Sequence, residues 1–146
     1  MAGDESSLPA LRIRVVYKDP HLVEVEVRVV AGDWSGVTQA YTTRDSLVEG
    51  AHELLAWAAR PYEPFALEAG SDTGIGWASL RWYTIDRAGH LVCQVRIATA
   101  EESGRPEGVK RISFEFPTEL GVVERFARQL ASVAASLTGE AVLAGL

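Results

Sequence analysis

Three histidines, one cysteine and a single His-Glu step are the side chains here whose types could do chemistry. His52 and Glu53 open a zinc-protease pattern, in which two imidazoles four positions apart share a helix face and the glutamate serves as base. The second imidazole would have to be residue 56, and that is Ala56. His21 and His90 both stand at the start of a strand-like run. A metal site needs three or four ligands and a general acid needs a partner within hydrogen-bond reach, and no such set is visible around either. Ser35, in Asp33-Trp34-Ser35-Gly36, lacks the glycine-framed elbow of a serine hydrolase. Residues 70–76 carry three glycines, in neither the dinucleotide nor the P-loop spacing, and no lysine follows to hold a phosphate. Cys93 alternates with Val95 and Ile97, as a buried and inert thiol does. The residues therefore predict no catalytic group, no metal and no cofactor.

The elements that would position any site can be read from periodicity. Leu11, Ile13 and Val15 alternate with Arg12 and Arg14, and Val23, Val25, Val27 and Val29 alternate with Glu24, Glu26 and Arg28. This period of two predicts a hairpin with one covered face, joined through Lys18, Asp19 and Pro20, with the arginines beside the glutamates. A short third strand follows at residues 37–42. A helix over residues 44–60, with Leu47, Ala51, Leu54, Leu55 and Ala58 on one stripe, ends at Pro61. Residues 65–69 suit a closing strand.

The second half repeats this order. Leu11, Arg12, His21, Leu22 and Val23 recur 69 positions on as Leu80, Arg81, His90, Leu91 and Val92. Farther along the offset is 75, so that Thr43, Glu49, Leu55 and Ala59 return as Thr118, Glu124, Leu130 and Ala134. An insertion of six residues in the polar stretch after the second strand reconciles the two. On this register Tyr41 matches Phe116 and Val37 matches Ile112, so an aromatic and a branched residue are expected to close the same corner of the core twice. Asp86 to Gly89 suits a type I turn, and a helix capped by Thr118 carries Val123, Phe126, Leu130, Val133 and Leu137, ending near Gly139. The expected fold is α+β: a mainly antiparallel sheet with two helices, built from a duplicated β-β-β-α-β unit with pseudo-twofold symmetry. Residues 1–9 read as a flexible tail, and 10–146 as one domain of two repeats, 10–70 and 76–146, sharing a core.

Composition narrows the function classes. Apolar residues at 47% and charged residues at 23% are those of a soluble globular chain. No run reaches the roughly 20 apolar residues of a membrane span, and one cysteine cannot form an internal disulfide. A membrane partner is not expected, and a reducing cytoplasm fits best. The net charge of -6 comes from the first half, where residues 1–72 hold 12 acidic and 6 basic side chains against 8 of each in residues 73–146. That excludes the clustered cations of a nucleic-acid binder and leaves room for a basic protein partner.

Binding candidates then come from aromatic residues. Trp34, read as lying in a polar hairpin loop beside Asp33, is a candidate partner anchor, with Glu24 and Glu26 supplying acidic contacts. Trp77, Trp82 and Tyr83 could instead line a small-molecule groove between the repeats, which makes a ligand-binding module the alternative. A homodimer is compatible with either.

The runs at residues 11–16 and 22–29, Trp34, the helix ending Leu54-Leu55-Ala56-Trp57, and Gly89-His90-Leu91-Val92 before a long C-terminal helix together resemble the wall-associated-protein immunity family and kindred uncharacterised bacterial families. The resemblance brings no catalytic residues with it. It implies a small cytoplasmic, non-enzymatic protein that neutralises a toxin by binding it.

Overall fold

Alternating valines and helix stripes become ten elements in the computed structural model, which describes residues 9–71, 75–100 and 103–146. They are β1 (Ala10–Lys18), β2 (Val23–Ala31), β3 (Trp34–Thr42), α1 (Arg44–Ala59), β4 (Phe65–Gly70), β5 (Gly76–Thr84), β6 (Leu91–Thr99), β7 (Lys110–Thr118), α2 (Leu120–Ser136) and β8 (Glu140–Ala144), with a 3-10 turn at Pro106–Gly108. The two halves share the expected β-β-β-α-β order. They form two four-stranded antiparallel sheets rather than one, ordered β3-β2-β1-β8 and β4-β5-β6-β7. The closing strand of each half pairs with the first strand of the other, so neither sheet is complete without both halves. The proposed tail at residues 1–9 lies outside the described residues except for Pro9, as does part of the link at residues 70–76. No helix among the described residues is long and apolar enough to cross a membrane.

The inner faces meet in one hydrophobic cluster. Leu11, Val25, Val27 and Val29 come from the first sheet, Leu80, Trp82, Cys93 and Val95 from the second, and Leu54, Phe126 and Leu130 from the helices. Burial of Cys93 pushes its thiol pKa well up, which keeps it protonated and unreactive. The sheets touch where β3 crosses the start of the second. There Thr38 Oγ1 donates to the Ala98 carbonyl at 2.8 Å, and Thr99 Oγ1 donates to Thr38 Oγ1 at 2.7 Å. Gly76 runs directly under β3, and a Cβ there would overlap the Gln39 carbonyl oxygen.

The helices tie the halves together at their ends. Thr43 caps α1, its hydroxyl accepting from the Ser46 backbone N–H at 3.1 Å. Arg44 reaches across to α2, donating to the carbonyls of Ala134 at 3.2 Å and of Ala135, groups that a helix C-terminus leaves without partners. Thr118 does not cap α2. It ends β7 buried, and Glu119 takes the cap position without a side-chain bond. The helix stops at Leu137, in the left-handed region at φ 54°, ahead of Gly139.

The in-and-out pattern keeps the offset of 69 in the first strands, where Leu11 and Leu80 both face inward, and corrects it by one residue beyond them. Val23, Val25, Val27 and Val29 face inward as Leu91, Cys93, Val95 and Ile97 do, 68 positions on rather than 69. From β3 onward the match is at 76 rather than 75: Ala40 answers to Phe116, Ala51 to Ala127, Leu54 to Leu130 and Ala58 to Ala134. Tyr41 and Val37 consequently lie on the outer face, exposed, and do not close the core corner expected for them.

Cross-strand pairing sets the wet face of the first hairpin. Arg14 lies opposite Glu26, but a bulge between Val15 and Tyr17 sets Tyr17 opposite Glu24, and Arg12 turns to Glu140 of β8 at 2.7 Å. The Glu26 carboxylate accepts from Arg14 at 3.2 and 3.3 Å, and these bonds hold its pKa below the ordinary range. A depressed carboxylate stabilises the fold above its unfolded pKa, and that contribution disappears as pH falls through the lower folded value. Glu26→Gln should therefore melt at a temperature less sensitive to acid than wild type, measured from about pH 7 down to about pH 3. An unchanged acid slope would show that the Arg14 pair contributes nothing.

Candidate functional site

The β2–β3 turn is tight. Gly32 takes φ +60° and Asp33 follows at negative φ, the pattern of a two-residue type II′ hairpin, so Ala31 pairs with Trp34 directly. Trp34 is thus the first residue of β3 and not a loop residue. Its side chain shares a face with Gly36, Thr38 and Ala40, but it stands past the rim of the core and is 70% exposed. Glycine at position 36 lets the neighbouring sheet approach closely, since a Cβ there would come to 2.9 Å from methyl groups of Ile97 and Ile112, which would have to shift.

Two adjoining hollows run along β3 and share Val37 and Thr99. One, of about 520 Å³, is walled by Trp34, Ile112, Lys110 and Arg111. The other, of about 260 Å³, is walled by Glu24, Glu26, Arg28, Gln39, Tyr41 and Ile75. Trp34, Val37, Tyr41 and Ile75 are all among the exposed large apolar residues, so the hollows are bordered by an apolar margin at the edge of the first sheet. Large aromatic surface left to water at an edge is the usual mark of a contact site.

Three of the four predicted contact residues line these hollows, Trp34 one and Glu24 and Glu26 the other, while Asp33 stands in the turn beside Trp34. Asp33 and Trp34 lie at the turn end, and Glu24 and Glu26 at the far end, beyond Val37. Glu26 is mostly covered, with a side chain 12% exposed and engaged by Arg14 and, at 3.7 Å, Arg28. Its acidity is already matched within the sheet. Glu24 sits between Tyr17 and Tyr41 in the cross-strand row and makes no ion pair among the described residues. Val37, Tyr41 and Ile75 were missed by sequence reasoning. An isoleucine in the polar link between halves was the one available signal, because an apolar side chain there needs a reason to be tolerated.

The predicted ligand trio does not share a face. Trp82 points inward and is 0% exposed, while Trp77 and Tyr83 point outward from opposite ends of β5, about 20 Å apart at the strand rise. Trp77 Nε1 donates to Glu68 at 2.5 Å, and the Tyr83 hydroxyl donates to Glu115 with the Arg81 guanidinium 4.9 Å above its ring. That hydrogen bond to a carboxylate raises the phenol pKa, against a smaller lowering by the nearby Arg81. Where the halves do meet, the hollow lined by Ile13, Val25, Leu47, Leu67, Leu80 and Leu130 holds only about 60 Å³. Small-molecule pockets run from about 300 Å³ upward.

Titratable groups are dispersed. His90 Nδ1 lies 2.6 Å from Asp86, within its own turn, whose Gly89 N–H closes onto the Asp86 carbonyl at 3.2 Å as expected. The Asp86 carboxyl is held low by these bonds to His90. His21 belongs to the other hairpin, where Asp19 accepts from the backbone N–H of His21 and Leu22 at 2.8 Å each. Both turns are closed by an aspartate that accepts from backbone N–H groups. Among the described residues no group of three or more His, Cys, Asp or Glu could hold a metal ion.

Comparison with family models, with curated proteins and with solved structures returned no match for the chain.

Proposed function

We propose that this protein is a non-enzymatic binding protein, immunity-like in action, which neutralises a basic protein toxin by covering it. The observation that carries the reading is the set of exposed apolar residues on the edge strand β3, Trp34 on its inner side past the rim of the core and Val37 and Tyr41 on its outer face, with Asp33 and Glu24 alongside. Trp34 supplies a rigid anchor, and burial of such a ring in a partner is worth several kcal/mol where it becomes a hot spot, ~2 or more. The acidic groups speed and orient the encounter with a cation-rich partner. Dispersed titratable groups and a shallow surface suit capture by shape and charge better than turnover.

The test is capture of basic proteins from the native host on immobilised chain, followed by growth rescue when the captured protein is co-expressed. Trp34→Ala and Asp33→Lys should each leave the melting temperature unchanged and lower the affinity at least about tenfold, with binding that weakens as salt rises. Equal recovery of the same proteins on wild type and both variants would remove this surface from consideration. A captured protein that is harmless when expressed alone would remove the toxin reading.

A further inference from the structure

We propose that β7 is a homodimerisation edge, along which two copies of the chain pair antiparallel about a twofold axis through Ser113. Strand β7 ends the second sheet, with β6 on one side only. The Pro117 carbonyl accepts from the Leu146 backbone N–H at 3.0 Å and therefore points away from β6. Proline is tolerated inside a strand where its missing N–H would face outward, which gives the same orientation independently. In an antiparallel strand the N–H and C=O of one residue leave on the same side, and successive residues alternate sides. Arg111, Ser113 and Glu115 are in step with Pro117, so each presents both groups outward. Among the described residues, no backbone hydrogen bond reaches these three from outside their sheet.

An open edge of this length is a template for another strand, and the side chains decide which strand fits. Pairing centred on Ser113 sets Arg111 opposite the partner's Glu115 and Glu115 opposite the partner's Arg111. On the other face it sets Ile112 opposite the partner's Phe114. All three outward residues fall at hydrogen-bonded positions, three pairs exchanging two bonds each. The neighbouring registers centred on an outward-bonding residue fail on charge or on donors. Centring on Arg111 opposes two guanidiniums, and centring on Glu115 opposes two carboxylates while calling on Pro117 for a hydrogen it lacks. The arginine that would guard a lone edge is thus matched by the carboxylate two residues from the axis. Beside the edge lies a hollow of about 430 Å³ lined by Ala31, Trp34, Ile112 and Phe114, which offers an incoming strand an apolar floor.

Light scattering on the full chain from about 10 µM to about 1 mM tests this directly. Wild type should rise from the chain mass of 15.8 kDa toward twice that value. Ser113→Pro should stay at the chain mass without a lower melting temperature, because the Ser113 N–H takes no part in the pairing with β6. R111E alone and E115R alone should each weaken association about tenfold or more, since each sets like charges opposite. An equimolar mixture of those two variants should associate again, because every opposed pair in the mixed dimer is complementary. Wild type that stays at 15.8 kDa throughout, whether or not an acidic peptide binds the same edge, overturns the proposal. So does a Ser113→Pro chain that dimerises like wild type, or a mixture that fails to recover. If Ser113→Pro proves unfolded, the charge-swap mixture decides alone. Arg111 and Ser113 also line the hollows beside Trp34, so dimerisation and toxin capture are compared on E115R, whose residue lines neither hollow and which leaves Asp33, Trp34 and Glu24 in place.

Discussion

Gly76→Ala should cost about 3 kcal/mol or more of folding stability, a large part of the roughly 5–15 kcal/mol that a domain possesses. The added methyl would overlap the backbone oxygen of Gln39, which cannot swing aside as a side-chain tip can. It must lift β3 from the second sheet, and the Thr38 bonds to Ala98 and Thr99 go with it. Chemical denaturation followed by circular dichroism measures the loss. Gly121→Ala is the control: that glycine lies in α2 with nothing near its missing Cβ, so alanine should stabilise by about 0.5–1 kcal/mol. A Gly76→Ala chain as stable as wild type would mean that the sheets do not depend on this close approach.

Trp82→Ala should cost about 3–5 kcal/mol, as the loss of a fully buried large side chain does. Trp82 is the middle of a ring series that links four elements. Trp57 of α1 lies 6.1 Å from Phe65 of β4, Phe65 lies 6.3 Å from Trp82, and Trp82 lies 6.2 Å from Phe126 of α2. Its removal leaves a cavity beside Phe65 of β4 and Phe126 of α2. Trp82→Phe should be far milder, below about 1.5 kcal/mol, because the indole Nε1 is buried without an acceptor and phenylalanine removes that uncompensated donor along with some volume. Denaturation midpoints of the two variants, with near-ultraviolet circular dichroism to report the ring series, test the contrast. Equal losses for alanine and phenylalanine would show that the indole nitrogen is satisfied in solution.

Much of this architecture was legible before any coordinates. Period-two valines marked β2, one-sided stripes marked both helices, and Asp86 with Gly89 marked a turn whose chemistry is local. The repeat itself was visible, but its register was taken from matching letters, such as His21 with His90. Strand physics reads faces and not letters, so a slip of one residue inverts every side chain. That slip is why Tyr41 was set inside and is found outside. Trp34 was read into a loop because Asp33 and Gly36 look like loop chemistry, whereas Gly32 alone makes the turn and the strand resumes at once. The exchange of closing strands could not be read, because a short apolar strand fits beside either first strand by composition alone. Trp82 was grouped with Trp77 and Tyr83 by proximity in the chain, although alternation along β5 separates it from both.

The traded strands also bear on how the molecule comes into being. β8 is synthesised after every other described element, and its slot lies beside β1, the earliest of them. Until β8 has emerged, β1 carries a bare flank and the first half waits unfinished.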